Sequence, residues 1–165
     1  MTDLFNYIKA KIVADLPEFK TVRRWRNQYN RSNKTRDENA FPYPAVFVEF
    51  ITEQMDNQAI GYCDIQLIVR FHIGFTNYTL EKDEDFALMQ TFEDAFFRFR
   101  SAESDNVHFT TFQQSLISDE PDDDNVDLQI VEYRTIYRQM TTYSDGVEVA
   151  PVDLDLTAEK FNPNE

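Results

Sequence analysis

Few residues in this chain have the type and spacing that bond-making chemistry requires. The two histidines, His72 and His108, fall at polar positions of expected strands, and no serine or cysteine stands in a nucleophile elbow beside either. They read as ordinary sheet or surface histidines, and the chain is not expected to be an enzyme. Gly61, Gly74 and Gly146 are the only glycines, too far apart to form a loop that cradles phosphate. Cys63 has no second cysteine to pair with, which leaves no internal disulfide or cysteine-based zinc site and fits a reducing cytosolic compartment. No catalytic residue, cofactor or metal ion is therefore expected.

Two charged groups remain. Asp119, Glu120, Asp122, Asp123, Asp124 and Asp127 crowd together, and calcium takes roughly six to eight oxygen ligands. The run nevertheless lacks the spacing and central glycine of an EF-hand loop, so a solvated turn is the plainer reading. Residues 19–36 carry Lys20, Arg23, Arg24, Arg26, Arg31, Lys34 and Arg36 with no acid among them. That stretch is +7, which leaves −21 on the rest of a chain whose net charge is −14. With Trp25 and Tyr29 interleaved, it has the makings of an arm that stacks on bases and holds phosphates. It equally suits docking on an acidic neighbouring subunit, since arginine and tryptophan dominate interface hot spots. A merely solvated loop is the third possibility. The subunit reading is preferred because the acidic remainder repels nucleic acid. The candidate contacts are thus Arg23, Arg24, Trp25, Arg26, Tyr29, Arg31, Lys34 and Arg36 on one side, and Asp119, Glu120, Asp122, Asp123 and Asp124 on the other.

These groups need a scaffold, and 165 residues with 42% apolar content supply one domain with a core. Fifteen Phe and eight Tyr against three Gly and six Pro describe a folded chain with an aromatic interior. Met1 to Ile12 has no apolar h-region and no run of about 18 apolar residues occurs, so neither secretion nor membrane insertion is expected. Thr2 is placed to cap a helix over residues 3–15 whose apolar positions Phe5, Ile8, Ile12 and Leu16 keep helical spacing until Pro17. A short strand is expected at Phe19–Trp25, then a polar arm over 27–39. Phe41-Pro-Tyr-Pro44 holds the chain extended into a strand at Ala45–Ile51, and Glu53–Ala59 reads as a turn.

The strongest signal follows. Cys63, Ile65, Leu67, Val69, Phe71, Ile73 and Phe75 take every odd position against mostly polar even ones, the mark of a long one-sided strand. An acidic stretch, Thr79–Asp85, suits a helix N-terminus, and Phe86, Met89, Phe92, Phe96 and Phe97 continue it to about Arg100. Val107–Ile117 and Val126–Tyr143 read as paired strands around an acidic turn, Ser118–Asn125. Leu128 and Ile130 are even-numbered while Val131, Tyr133 and Tyr137 are odd, which predicts a bulge or change of face near residue 130. The order predicts an α+β fold: an antiparallel sheet of about four to five strands with two helices on one face. The domain spans 1–143 with the basic arm at 20–40, and 144–165 form a C-terminal extension.

Several of these segments recur in one order elsewhere. A short first helix, a polar stretch, Phe41-Pro-Tyr-Pro-Ala-Val-Phe-Val-Glu-Phe50, an alternating strand ending Ile68-Val-Arg-Phe-His-Ile73, an aromatic helix and a last strand with Tyr133-Arg-Thr-Ile-Tyr-Arg138 follow one another. This succession, over about residues 3–143, resembles the tail-terminator and tail-completion proteins of tailed phages. The basic arm is longer than in that family, and residues 144–165 run past its usual last strand. The resemblance implies a structural virion protein, assembled in the host cytoplasm, that forms a homo-oligomeric ring, commonly a hexamer. Such a ring caps the tail tube protein and meets the head-tail connector protein, with DNA passing through and not specifically bound. A head-completion or connector ring of the same neck is the nearest alternative, and a nucleic-acid-binding module using the basic arm is the second.

Overall fold

The computed structural model describes residues 1–26, 41–59, 62–76, 82–102, 107–123 and 126–140. Within them the chain is α+β: two helices and a mixed six-stranded sheet. Helix α1 spans Thr2–Asp15, β1 Thr21–Arg24, β2 Ala45–Ala59, β3 Tyr62–Thr76, α2 Lys82–Phe96, β4 His108–Phe109, β5 Gln113–Asp123 and β6 Val126–Met140. The sheet order is β1-β2-β3-β6-β4, with β5 also paired to β6.

Helix α1 forms because Leu4, Ile8 and Ile12 recur every four residues and are all fully buried. Thr2 lies inside the helix and not at its cap: Met1 takes that position without a side-chain bond, and its carbonyl accepts from the Phe5 amide at 3.1 Å. Leu16 is buried just past the end, ahead of Pro17. Lys11, one turn before the end of α1, pairs with Asp15 at 2.7 Å and lies 4.8 Å from the Phe99 ring centre.

The odd-numbered residues of β3, from Cys63 to Phe75, are all buried as the alternation requires. They join one core with Leu4, Ile8 and Ile12 of α1 and Met89, Phe92 and Phe96 of α2. Aromatic edges and faces fill its centre: Phe71 meets Phe96 at 4.8 Å and Phe92 at 5.1 Å, and Phe96 reaches Phe112 and Tyr133 at 6.1 Å. Thr135 is a buried polar residue in β6, and its hydroxyl donates to the Thr110 carbonyl at 2.7 Å.

Three expectations need correction. The sheet is mixed and not antiparallel throughout, because β1 pairs parallel to β2, Thr21 beside Ala45 through Arg24 beside Val48; residues 25–44 separate them, long enough for a parallel return. Glu53–Ala59 is strand and not turn: β2 continues to Ala59 along β3, with a register shift between Thr52 and Gln54. Pairing with a strongly alternating neighbour overrides the weak strand propensity of Thr-Glu-Gln-Met-Asp-Asn. Ser118 to Asp123 likewise belong to β5, and a register shift between Glu120 and Asp123 accommodates Pro121 on this edge strand. Residues 124–125, the rest of the expected turn before β6, lie outside the described residues.

Near residue 130 the expected change of face holds and the bulge alternative does not. Strand β6 pairs with β3 without a shift from Tyr62–Met140 to Thr76–Val126. Burial changes parity because this end of the sheet is covered on both faces. Leu128 and Ile130 share the even face with His72, and Phe47 sits opposite His72 on β2, all four buried. The cover over His72 and Phe47 comes from the ends of the basic arm, Trp25 and Phe41.

Candidate subunit interface

The two charged groups lie at opposite edges of one sheet. Strand β1 carries Arg23 and Arg24, with Lys20 before it and Trp25 and Arg26 after it; β5 carries Asp119, Glu120, Asp122 and Asp123. Strands β2, β3 and β6 stand between them. Four inter-strand steps of about 4.8 Å put the edges roughly 20 Å apart. The basic strand and the acidic strand of one copy are therefore not neighbours in its sheet.

The basic residues differ in how far they are committed. Arg23 and Arg26 are exposed. The Arg24 guanidinium lies 5.7 Å from the Phe5 ring centre and 5.5 Å from that of Phe50, so much of its role is to tie β1 to α1 and β2. Trp25 is half-buried and not part of a loose arm. Its ring stacks on His72 at 3.8 Å and 9°, meets Phe47 at 6.1 Å, and its amide donates to the Val48 carbonyl at 2.9 Å. Phe41, on the far side of the arm, packs on Phe47 at 4.8 Å. Tyr29, Arg31, Lys34, Arg36 and Asp124 lie outside the described residues. Asp119, Glu120, Asp122 and Asp123 share one edge strand, which places their backbone and leaves their side-chain partners unassigned.

Sequence reasoning missed a polar network on the second face. His72, expected on a polar surface, is only 3% exposed. Its Nε2 lies 2.9 Å from a Glu49 oxygen that also accepts from Arg70 at 3.3 Å. Arg70 donates through Nε to Glu132 at 2.6 Å, and its second terminal nitrogen reaches the same oxygen. One cation so bridges carboxylates on β2 and β6 across the central strand, which fixes the register of all three. The signal available was the pair of basic residues, Arg70 and His72, at adjacent even positions of β3 on either side of Phe71. Further along, Arg138 clasps Asp64 through two bonds of 2.7 and 2.9 Å and holds its carboxyl below the ordinary range, against a smaller opposing effect of burial.

A histidine on a carboxylate also resembles half of a catalytic dyad, but the one cysteine does not stand beside it. Cys63 points to the opposite face of β3, nine residues or about 30 Å along the strand from His72. His108 is exposed on β4. Among the described residues no group of three or more His, Cys, Asp or Glu side chains is arranged to hold a metal ion. Asp85, at the start of α2, is pushed up by burial, with Asp127 and Glu84 adding repulsion. No protein-family model matches the chain, and no curated protein matches it significantly.

Proposed function

We propose that this chain is the subunit of a closed homo-oligomeric ring of the phage tail-terminator type, a structural part of the virion and not an enzyme. The ring caps the finished tail tube and offers its other face to the head-tail connector. The observation that carries the reading is the segregation of opposite charge to the two edges of one sheet. Complementary edges on opposite sides of a subunit join copies head-to-tail, and the ring closes when the rotation per copy divides a full turn. The remaining −21 of charge suits a ring around DNA, because like charge keeps the duplex from adhering as it passes.

The nucleic-acid reading is weaker because Trp25, the aromatic it would use to stack on bases, already lies against His72. The test is direct. Full-length protein is incubated with tail tubes assembled from the tube protein alone, and the tube ends are viewed by electron microscopy. The reading expects rings in the free protein and a cap at one tube end. Binding to a portal-side ring with no affinity for tubes would move the protein to head completion. Steeply salt-dependent binding to DNA with neither ring nor cap would refute a virion ring.

A further inference from the structure

The two sides of the molecule that carry opposite charge also carry a protruding aromatic and an open cleft. Helix α2 ends at Phe96, and the next residues turn sharply: the Phe97 amide donates to Asp94 at 3.3 Å and that of Phe99 to Phe96 at 3.1 Å. Phe96 and Phe99 face inward. Phe99 packs on Phe109 at 5.2 Å and Phe112 at 5.3 Å, and its carbonyl accepts from the Phe112 amide at 2.7 Å. Between them Phe97 is thrown out and is 69% exposed. The turn depends on Arg98 at φ 53°, a left-handed position that normally selects glycine and that costs conformational energy in any other residue. Arg98 then lies 5.4 Å from the Phe97 ring centre. The outcome is an aromatic knob flanked by Arg98 and Arg100.

Near the other end of α2 is an open cleft of about 530 Å³. Pro44, Ala87 and Leu88 line it together with Thr91 and the charged Glu18, Lys20 and Glu84. The cleft lies beside β1, whereas the knob lies beside the start of β5 and β4. Leu88 and Phe97 are nine positions apart, roughly 14 Å along the helix direction, so Phe97 does not reach its own cleft.

We infer that Phe97 of one copy seats in the Pro44–Leu88 cleft of the next, with Arg98 meeting Glu18 and Glu84. This rests on the ring reading and names one contact that closes it. Three properties agree. The cleft is large enough for a phenyl ring, and two of the three charged residues lining it, Glu18 and Glu84, are acids that complement the basic flank of the knob. Knob and cleft also lie on the same two sides as the acidic and basic strands, so one head-to-tail step satisfies both pairs. A protruding apolar group matched to a pocket elsewhere on the same molecule propagates head-to-tail and does not form a symmetric pair, and an aromatic anchor in a pocket is the usual hot spot of such a contact.

Sedimentation velocity on full-length protein tests this with two single variants, Phe97→Ala and Ala87→Trp, the second filling the cleft from an exposed helix position. Circular dichroism checks that both fold, and the more conservative Phe97→Ser and Ala87→Leu replace either that does not. Each variant alone is expected to self-associate about thirtyfold or more weakly than wild type. An equimolar mixture is expected to yield a one-to-one heterodimer, because one copy keeps its cleft and the other its knob. Self-association of both variants within threefold of wild type overturns the knob-and-cleft contact while leaving the ring reading in place. Loss of assembly in both, with no heterodimer on mixing, also overturns it. A wild-type protein that stays monomeric throughout refutes the ring reading and this contact together.

Discussion

Replacing Trp25 by alanine tests whether the basic segment begins as a free arm or as an anchored one. In a buried core, Trp→Ala costs about 3–5 kcal/mol. Trp25 is half-buried, with one face on His72 and an edge toward Phe47, so about half of that, roughly 2 kcal/mol, is expected. For a domain of this size the loss lowers Tm by about 4–8 °C. Circular dichroism at neutral pH measures it. A second readout is local: a ring stacked at 3.8 Å shifts the His72 imidazole proton resonances, and that shift should vanish in the variant. A tryptophan on a solvated arm would change stability by only about 0.5 kcal/mol or less. A Tm within 1 °C of wild type, with His72 resonances unmoved, would refute the anchored arrangement.

Three further perturbations follow from the same geometry. Arg70→Met leaves Glu49 and Glu132 facing each other without their shared cation; because Arg70 is partly exposed, solvent screening limits the loss to about 1–3 kcal/mol, read as a lower urea midpoint, and an unchanged midpoint would show the network to be inert. Tyr133→Phe removes a buried hydroxyl that has no hydrogen-bond partner, so it should leave stability unchanged or raise it by up to about 1 kcal/mol; in the wild type this phenol, pushed up by burial and then by Glu93, should be silent in an ultraviolet titration of the folded protein through the ordinary tyrosine range. Asp85→Asn should stabilise at pH 7 and do little at low pH. The Asp85 carboxyl is raised in the folded state, so its favourable contribution is present below the unfolded pKa and is lost as pH rises through the folded one; a variant less stable than wild type at pH 7 would contradict that sign.

Much of the scaffold was legible because its signals were redundant. The odd-position run from Cys63 to Phe75 and the helical spacing of Ile8, Ile12 and Leu16 each state a period and a buried face at once, and both hold, except that Leu4 and not Phe5 completes the buried face of α1. Glu53–Ala59 and Ser118–Asp123 were not legible, since polar edge segments become strand through pairing with β3 and β6 and not through their own propensity. The parity change at Leu128 and Ile130 was legible as either a bulge or a change of face, and the second holds. Sequence period cannot tell a bulge from a second covered face, and the cover comes from Trp25 and Phe41, far away in the chain. The charge polarity of the candidate interface was legible as composition; that its halves lie on opposite edges depends on strand order, which no local pattern encodes.

The most direct measurement of the account is the molar mass of an edge-swapped protein by light scattering. Arg23 and Arg26 are changed to glutamate, Asp119 and Asp122 to lysine, and the two reversals are made separately and then in one chain; Arg24 is left alone because it packs on Phe5 and Phe50. Wild type is expected to give a single discrete ring mass, each separate reversal a mass near the 19.5 kDa monomer at moderate salt, and the double reversal a ring again. A double reversal that assembles no better than either half, or a wild type that remains at monomer mass at high concentration, would contradict head-to-tail assembly through opposite sheet edges.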